Sequence, residues 1–183
     1  MRIVGGRLRG RVLAAPRSQT VRPTADRLRE ALFNILLHGY GDPVAGVRVL
    51  DLFAGTGALG LEALSRGVAF ALFVDDGAEA RALLRENVAT LGLGGSTRIF
   101  RRDATKLGDA HPIEPFSLVF LDPPYGKGLA ERALVSAHAG GWLAPDALIV
   151  VEETAGAFKA PDGFAEIERR KYDDTEFVFL HRS

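Results

Sequence analysis

Apolar and polar positions alternate along the chain in two recurring patterns. Short apolar runs are separated by longer segments whose apolar residues return every three or four positions, as on one face of a helix. The runs predict strands at residues 48–53, 70–75, 97–103, 117–122 and 147–153. The segments between them predict helices at residues 58–67, 77–91 and 128–141, and a loop with a short helix before residue 117. Strands that alternate with helices are typical of a doubly wound, mostly parallel α/β sheet.

The two ends of the chain follow other patterns. Residues 2–15 carry alternating apolar positions broken by glycines, which predicts a short β-hairpin. A connection punctuated by prolines, residues 16–24, leads to Thr24, a candidate N-cap for a helix. Residues 176–183 predict a closing strand. The apolar face of the first helix carries Leu28, Leu32, Ile35 and Leu36.

Composition narrows the class of protein. The 183 residues are 47% apolar and 25% charged, which is ordinary for a globular domain. No apolar stretch approaches the roughly 20 residues needed to span a bilayer. The N-terminus has no apolar signal-peptide core, so we expect a cytoplasmic protein. Without cysteine the chain has no disulfide, thiolate metal site or cysteine nucleophile.

Charge is unevenly distributed, although the net charge is zero. Residues 1–30 contain eight arginines against two acidic side chains, a balance of +6, which the rest of the chain offsets. We therefore predict a basic N-terminal extension, residues 1–44, and an α/β domain, residues 45–183. Arginine pairs well with phosphate, so the extension fits a polyanionic partner, although charge alone fits a solvated basic surface equally well. The candidate phosphate contacts are Arg7, Arg9, Arg11, Arg22 and Arg27.

Ligands of doubly wound sheets bind outside the carboxyl ends of the strands. After the first of these strands, Gly55, Gly57 and Gly60 match the pattern G-x-G-x-x-G and open a helix. Asp75 ends the next strand, where a carboxylate can accept hydrogen bonds from ribose hydroxyls. Together they predict a cofactor that contains adenosine. A strand–turn–helix that needs glycine only for its own geometry is the alternative.

The strand-end carboxylates bear on which cofactor it is. Asp51 immediately precedes the glycine turn, where it would repel a pyrophosphate but attract the ammonium of a methionine moiety. This favours S-adenosylmethionine (AdoMet) over a nicotinamide dinucleotide. Asp103 ends the third strand and is a candidate partner for the adenine amino group, and a turn residue is an equally good interpretation.

The fourth strand ends in Asp122, Pro123, Pro124 and Tyr125. The prolines remove two backbone donors and leave carbonyl acceptors beside the Asp122 carboxylate. These acceptors suit the N–H groups of a planar exocyclic amine, and Tyr125 supplies a ring on which a base can stack. A tight turn is the alternative, but the position at a strand end after the glycine turn favours methylation of an amine.

The motifs VLDLFAGTGALGLEALSRG, FVD and LDPPY together resemble AdoMet-dependent methyltransferases that modify amino nitrogens of bases. The N-terminal RIVGGRLRGRVL, followed by RPTADRLREALFNIL, resembles the RsmD family. That resemblance implies a Rossmann-like sheet with an antiparallel C-terminal strand and methylation of guanine N2 in bacterial 16S ribosomal RNA, in a 30S particle or assembly intermediate. We also expect a monomer, and a protein that needs no metal because the sequence shows no metal-ligand spacing.

The resemblance also assigns roles to residues. Asp51, Phe53, Gly55 and Gly57 would line the methionine end of the cofactor, Asp75 would hold the ribose, and Asp103 would lie near adenine. Residues 122–125 would hold the target guanine. The family pattern leads us to expect Glu where this chain has Asp75, and the adjacent Asp76 could share its role. The C-terminal KYDDTEFVFL resembles the family's closing hairpin.

Three other functions stay open on the sequence. A DNA adenine-N6 methyltransferase shares the DPPY motif, but this short chain shows no separate target-recognition domain. A nicotinamide-dependent oxidoreductase is disfavoured by Asp51 and by the DPPY motif. A non-catalytic RNA-binding module is disfavoured because the glycine turn and DPPY are both intact. The four histidines match no motif at the strand ends, and no metal-ligand spacing is present.

Overall fold

A computed structural model of the chain describes residues 1–16 and 25–183. Its seven strands are β1 (Arg48–Leu52), β2 (Phe70–Val74), β3 (Thr97–Phe100), β4 (Phe116–Leu121), β5 (Leu143–Thr154), β6 (Phe164–Tyr172) and β7 (Thr175–Arg182). Its α-helices are α1 (Asp26–Gly39), α2 (Ala58–Ser65), α3 (Ala78–Leu91) and α4 (Leu129–Ala139). A single 3-10 turn, Gly94–Ser96, precedes β3.

The strands form one sheet in the order β3-β2-β1-β4-β5-β7-β6. The first five are parallel, and β7 lies antiparallel between β5 and β6. Strand β1 is central, with Leu50 opposite Leu72 of β2 and Val119 of β4. This confirms the predicted mixed, mostly parallel sheet with an antiparallel C-terminal strand. The chain changes direction across the sheet between β1 and β4, so the ligand crevice is expected there.

Alternate residues of the central strands supply two separate cores. Val49 and Phe73 face the layer that contains α1, α2 and α3, whereas Leu50 and Leu72 face the layer that contains α4. Both faces of the sheet are therefore covered, which is why its strands are nearly continuous apolar runs.

The N-terminal segment, residues 1–16, packs into the first of these cores. Ile3, Leu8 and Leu13 are buried there. The predicted hairpin is present as a short pairing, with an antiparallel bridge between Arg2 and Val12 and a hydrogen bond from the Ile3 N–H to the Arg11 carbonyl at 2.9 Å. The segment also donates hydrogen bonds to side chains of α2 and α3. Helix α1 begins at Asp26 after Ala25, while the predicted cap Thr24 lies outside the described residues. The division of the chain near residue 45 stays a prediction.

Two details of the sequence prediction are wrong. Strand β3 ends at Phe100 instead of residue 103, because it is an edge strand and its last residues turn into solvent. The loop that follows forms no short helix. It is held by its own buried residues Leu107 and Ala110 and by the Trp142 indole, which donates a hydrogen bond to the Gly108 carbonyl at 2.8 Å. Strand β6 gave no separate apolar signal, because most of its side chains are polar and only partly covered.

Candidate active site

A cavity of about 540 Å³ opens at the carboxyl ends of β1, β2 and β4. It is called the strand-end cavity below. Its walls come from the turn after β1, the turn after β2 and the loop after β4. The predicted site residues that line it are Asp51, Phe53, Gly55, Asp75, Asp122, Pro123, Pro124 and Tyr125. A larger, more open hollow of about 910 Å³ lies between α4 and the loop after β3, and none of the predicted site residues line it.

Asp51 is a buried carboxylate in the wall of this cavity, with only 1% of its surface exposed. Its Oδ2 accepts a hydrogen bond from the Gly60 N–H at 3.0 Å, at the start of α2. Burial raises the pKa of Asp51 well above its ordinary value, the Gly60 bond opposes the shift, and the negative charges of Asp122 and Asp75 add to it. The carboxylates of Asp122 and Asp75 thus act on Asp51 across one cavity, an environment that favours a cation and disfavours a phosphate.

Two glycines of the turn after β1 have different surroundings. Gly55 lines the cavity, but Gly57 does not. A Cβ at Gly57, where φ is +83°, would lie 2.2 Å from the Leu84 Cδ1 of α3. Glycine at this position is therefore needed for the close packing of α2 on α3, and the expected contact of Gly57 with the cofactor stays a prediction.

Phe53 precedes this turn with a positive φ of 57°, unusual for a residue that has a Cβ. Its half-buried ring lines the cavity. Strained non-glycine backbone of this kind tends to be kept where it shapes a binding site. The conformation aims the chain from β1 into the turn and sets Phe53 in the cavity wall.

Asp75 connects the two turns of the cavity. Its Oδ2 accepts a hydrogen bond from the Gly55 N–H at 2.9 Å, and its Oδ1 accepts one from the Gly77 N–H at 2.8 Å. Each carboxylate oxygen has a second acceptor position, so these bonds leave capacity for ribose hydroxyls. Asp76, which is exposed, also lines the cavity.

The loop after β4, residues 122–128, forms the opposite wall and is called the DPPY loop below. Asp122 and Tyr125 are half-buried, Pro123 is buried and Pro124 is exposed. The DPPY loop therefore presents a carboxylate, a proline backbone without N–H groups and an aromatic ring to the same cavity.

Asp103 is the one predicted acid that the structure does not bring to the cavity lining. Its side chain is exposed, and its Oδ1 accepts hydrogen bonds from the Thr105 N–H at 2.8 Å and the Thr105 hydroxyl at 2.7 Å. These bonds, the hydroxyl first, lower the pKa of Asp103. The turn interpretation describes this side chain, and a role at adenine stays a prediction.

Comparison with known proteins identifies the family. A family model described as "Conserved hypothetical protein 95" matches residues 1–181. Ribosomal RNA small subunit methyltransferase D of Escherichia coli K12 is 43% identical over 152 residues, which are 83% of this chain and 74% of that protein. The chain belongs to the RsmD family.

Other members agree in sequence and in structure. The Haemophilus influenzae Ribosomal RNA small subunit methyltransferase D is 36% identical over 154 residues, covering 83% of this chain and 78% of its own length. The solved structure of yhhF from Escherichia coli superimposes with a TM-score of 0.83 and 35% identity over 100% of this chain and 98% of that one. The RsmD-family fold thus includes the N-terminal segment as well as the sheet.

In this RsmD-family chain the predicted arginines occupy different settings. Arg7 and Arg9 are exposed on the N-terminal segment, and Arg11 is exposed but donates a hydrogen bond to the Thr90 carbonyl of α3 at 2.8 Å. Arg27 pairs with Asp173 at 3.0 Å, with both side chains 78% exposed. Arg22 lies outside the described residues.

Sequence reasoning missed the residues that hold the N-terminal segment in place. Glu62 of α2 is fully buried, and its two carboxylate oxygens accept hydrogen bonds from the N–H groups of Val4 and Gly5, each at 2.9 Å. Buried Asn87 of α3 accepts a bond from the Ala14 N–H and donates one to the Thr56 carbonyl in the glycine turn. Polar residues on otherwise apolar helix faces were the available signal.

Within residues 1–16 and 25–183, no helix is long and apolar enough to cross a membrane. In the same residues, no group of three or more acidic or histidine side chains is arranged to hold a metal ion.

Proposed function

We propose that this chain transfers a methyl group from AdoMet to the exocyclic N2 amine of a guanine in bacterial 16S ribosomal RNA. The observation that carries the proposal is the convergence of Asp51, Asp75 and the DPPY loop on one cavity. The names of the family members, which are ribosomal RNA small subunit methyltransferases, support the same activity.

The residues of the cavity fit AdoMet. AdoMet carries an ammonium and a sulfonium, and the carboxylate of Asp51, which the charges of Asp75 and Asp122 oppose, favours a cationic ligand. Asp51 would hold the methionine end beside Phe53 and Gly55, and Asp75 would accept hydrogen bonds from the ribose. A pyrophosphate would meet the same negative charge, which disfavours a nicotinamide dinucleotide.

The DPPY loop would then hold the amine that accepts the methyl group. AdoMet, when bound, would supply an activated methyl group, with the electrons of the broken C–S bond left on sulfur and the new bond formed to the amine nitrogen. Asp122 and the carbonyl oxygens beside the prolines would accept from the amine N–H groups, which orients the nitrogen lone pair. The methylated nitrogen is acidic and loses its proton to solvent or Asp122. Alignment of the two reacting atoms is the main contribution of the protein.

The RNA would be held by the N-terminal segment. Arg7 and Arg9 are exposed there and suit phosphate oxygens, which position an enzyme without reading bases. The target guanine would be turned out of its helix to reach Tyr125. The proposal includes a monomeric cytoplasmic enzyme that acts on a 30S particle or an assembly intermediate.

Nucleoside analysis of a labelled product tests this function. The protein is incubated with methyl-labelled AdoMet and, separately, 16S ribosomal RNA, 30S particles or DNA, and each nucleic acid is digested. We expect label in N2-methylguanosine from one or both ribosomal substrates. Label in N6-methyladenine from DNA would establish the alternative methyltransferase instead. NADH binding without AdoMet binding would favour the oxidoreductase.

A further inference from the structure

A buried carboxylate outside the cavity lining holds the DPPY loop. Glu153 lies near the end of β5 with 1% of its surface exposed, and it is not among the residues that line the strand-end cavity. Its Oε1 accepts hydrogen bonds from the Gly126 N–H at 2.9 Å and from the Thr154 N–H at 2.7 Å. Glu153 thus connects β5 to the residue that follows Tyr125.

The sheet register explains why this side chain reaches the loop. Strands β4 and β5 are parallel neighbours, and Leu121 lies opposite Val151. The DPPY loop begins directly after Leu121, while β5 continues to Thr154. The last residues of β5 therefore extend beyond the end of β4, alongside the departing loop.

The chemistry of the loop makes this anchor important. Pro123 and Pro124 have no N–H, so the first half of the loop lacks two donors that could fix its backbone. Gly126 has a φ of +72°, a conformation that glycine adopts without strain, and its N–H points to Glu153. A buried carboxylate is costly unless it accepts hydrogen bonds, so Glu153 and these N–H groups stabilise one arrangement.

We propose that Glu153 is a positioning residue for methyl transfer, acting through Gly126 on the placement of Tyr125 and Asp122. The inference rests on the proposed methyltransferase function. Glu153 would set the orientation of the base in the DPPY loop while leaving the cofactor side of the cavity unchanged. Its role is to present an acceptor atom at the right reach, and its negative charge is not required.

Two substitutions separate reach from charge. Glu153→Gln keeps an acceptor oxygen at the same distance and removes the charge, whereas Glu153→Asp keeps the charge and shortens the side chain by one methylene. We expect Gln to retain the single-turnover methylation rate within about threefold. Asp should lower that rate about 10- to 100-fold at saturating RNA, since small misplacements of a reacting group cost up to about 10²-fold. Both variants should keep the wild-type dissociation constant for AdoMet.

Glu176 provides a matched control. It is a buried carboxylate on β7 opposite Glu153, and its Oε1 accepts hydrogen bonds from the Gly156 N–H at 2.9 Å and from Arg169 at 2.7 Å. Glu176→Asp should lower thermal stability without changing the single-turnover rate of the folded enzyme.

A second readout is the fluorescence of 2-aminopurine placed at the target nucleotide, which reports stacking in the DPPY loop. We expect a change in Glu153→Asp and none in Glu176→Asp.

Several results would overturn the inference. One is a wild-type methylation rate in folded Glu153→Asp, and another is a lower rate in Glu153→Gln than in Glu153→Asp. Equal losses of rate in Glu153→Asp and Glu176→Asp, or an AdoMet affinity that falls together with the methylation rate, would also contradict it. If wild-type protein methylates no guanine, the proposed function itself fails. If wild-type protein methylates and folded Glu153→Asp does so equally, only the positioning role fails.

Discussion

At the scale of single residues, the buried carboxylate of Asp51 lowers the stability of the ligand-free protein. Its carboxylate is buried beside a cavity, accepts one backbone hydrogen bond and faces the charges of Asp75 and Asp122. Such a group is costly to ionise in the ligand-free protein. A cationic ligand would offset that unfavourable free energy, so relief of the buried charge would contribute to the free energy of binding.

Asp51→Asn is expected to stabilise the ligand-free protein and to weaken AdoMet binding. The amide oxygen can still accept from the Gly60 N–H, while the buried charge is gone. Loss of a charged acceptor should cost about 1.5–3 kcal/mol of binding free energy. Urea unfolding and titration calorimetry measure the two effects. A variant that is less stable than wild type, or that binds AdoMet equally well, would remove Asp51 from this role.

The pH dependence of AdoMet binding should follow the same carboxylate. Because the pKa of Asp51 is raised in the folded protein, that state holds more protons than the unfolded chain between the two pKa values. Stability of the ligand-free protein therefore falls as pH rises through this window. A cation favours the ionised form, so affinity for AdoMet should rise with pH over the same window.

Calorimetry at a series of pH values checks this coupling. Asp51→Asn should flatten both the dependence of stability on pH and the dependence of AdoMet affinity on pH. An AdoMet affinity of wild-type protein that falls as pH rises through the window would contradict the prediction.

Single residues also show how much of the cavity lining could be predicted from the sequence. Asp51, Asp75 and Asp122 could be located because each lies at the end of a central strand, where ligands of parallel sheets collect. The same reasoning placed Asp103 at the end of an edge strand. That strand stops early, and Thr105 binds the carboxylate. Glu153 also lies near a strand end, but it belongs to no motif. Its hydrogen bond to Gly126 depends on how far β5 extends past the end of β4, which the sequence does not show.

At the scale of elements, the apolar pattern of a helix predicts the helix but does not show how many of its sides are covered by other segments. Every residue of α2 is buried, because the sheet covers one side and the N-terminal segment covers another. The apolar pattern predicted the helix but not its second cover. The hairpin pattern was recognisable in the sequence, but its backbone hydrogen bonds to side chains of α2 and α3 could not be deduced from local sequence.

The packing of α2 on α3 gives a prediction about Gly57. Gly57→Ala should destabilise the fold by roughly 1–2 kcal/mol for the left-handed conformation, with a further 1–3 kcal/mol for overpacking against Leu84. Leu84→Ala alone should cost about 2–5 kcal/mol. The double variant should be less destabilised than the sum of the two, because the shortened side chain at position 84 makes room for the added Cβ.

Urea unfolding of the four proteins forms the cycle for this prediction. Strict additivity would mean that Leu84 does not oppose a side chain at position 57. Folded Gly57→Ala is expected to bind AdoMet normally where it is populated, since Gly57 does not line the cavity. A folded variant with wild-type stability that has lost AdoMet binding would instead return Gly57 to the cofactor site.

At the scale of the whole molecule, the N-terminal segment and the cavity form one continuous structure. Asn87 bonds Ala14 on one side and Thr56 of the glycine turn on the other. The basic charge that the sequence concentrates in residues 1–30 is partly internal, however. Arg29 is fully buried and pairs with Glu62 and Asp26. Charge counting predicted the basic surface but could not tell which arginines stabilise the fold.

Arg7 and Arg9 therefore provide the cleanest test of RNA binding by the segment. Both are exposed, whereas Arg11 also anchors the segment to Thr90, so its replacement would mix binding with packing. Replacing Arg7 and Arg9 with Ala should raise KM for RNA and leave AdoMet affinity unchanged. It should also flatten the dependence of log Kd on log salt by about 0.7–0.9 for each phosphate group that the protein no longer binds.

The matched control for this pair is a double alanine variant of Arg170 and Lys171, two exposed basic residues on edge strand β6. It removes the same net charge from the molecule at the far edge of the sheet from β3. A weaker affinity caused only by net charge would be the same in both variants, whereas local phosphate binding would be weakened only in the Arg7 and Arg9 variant. The dissociation constant for a 16S fragment is measured from low to moderate salt in all three proteins. If the salt dependence of the Arg7 and Arg9 variant is the same as that of wild type, these arginines are only a solvated surface. The RNA would then have to bind elsewhere.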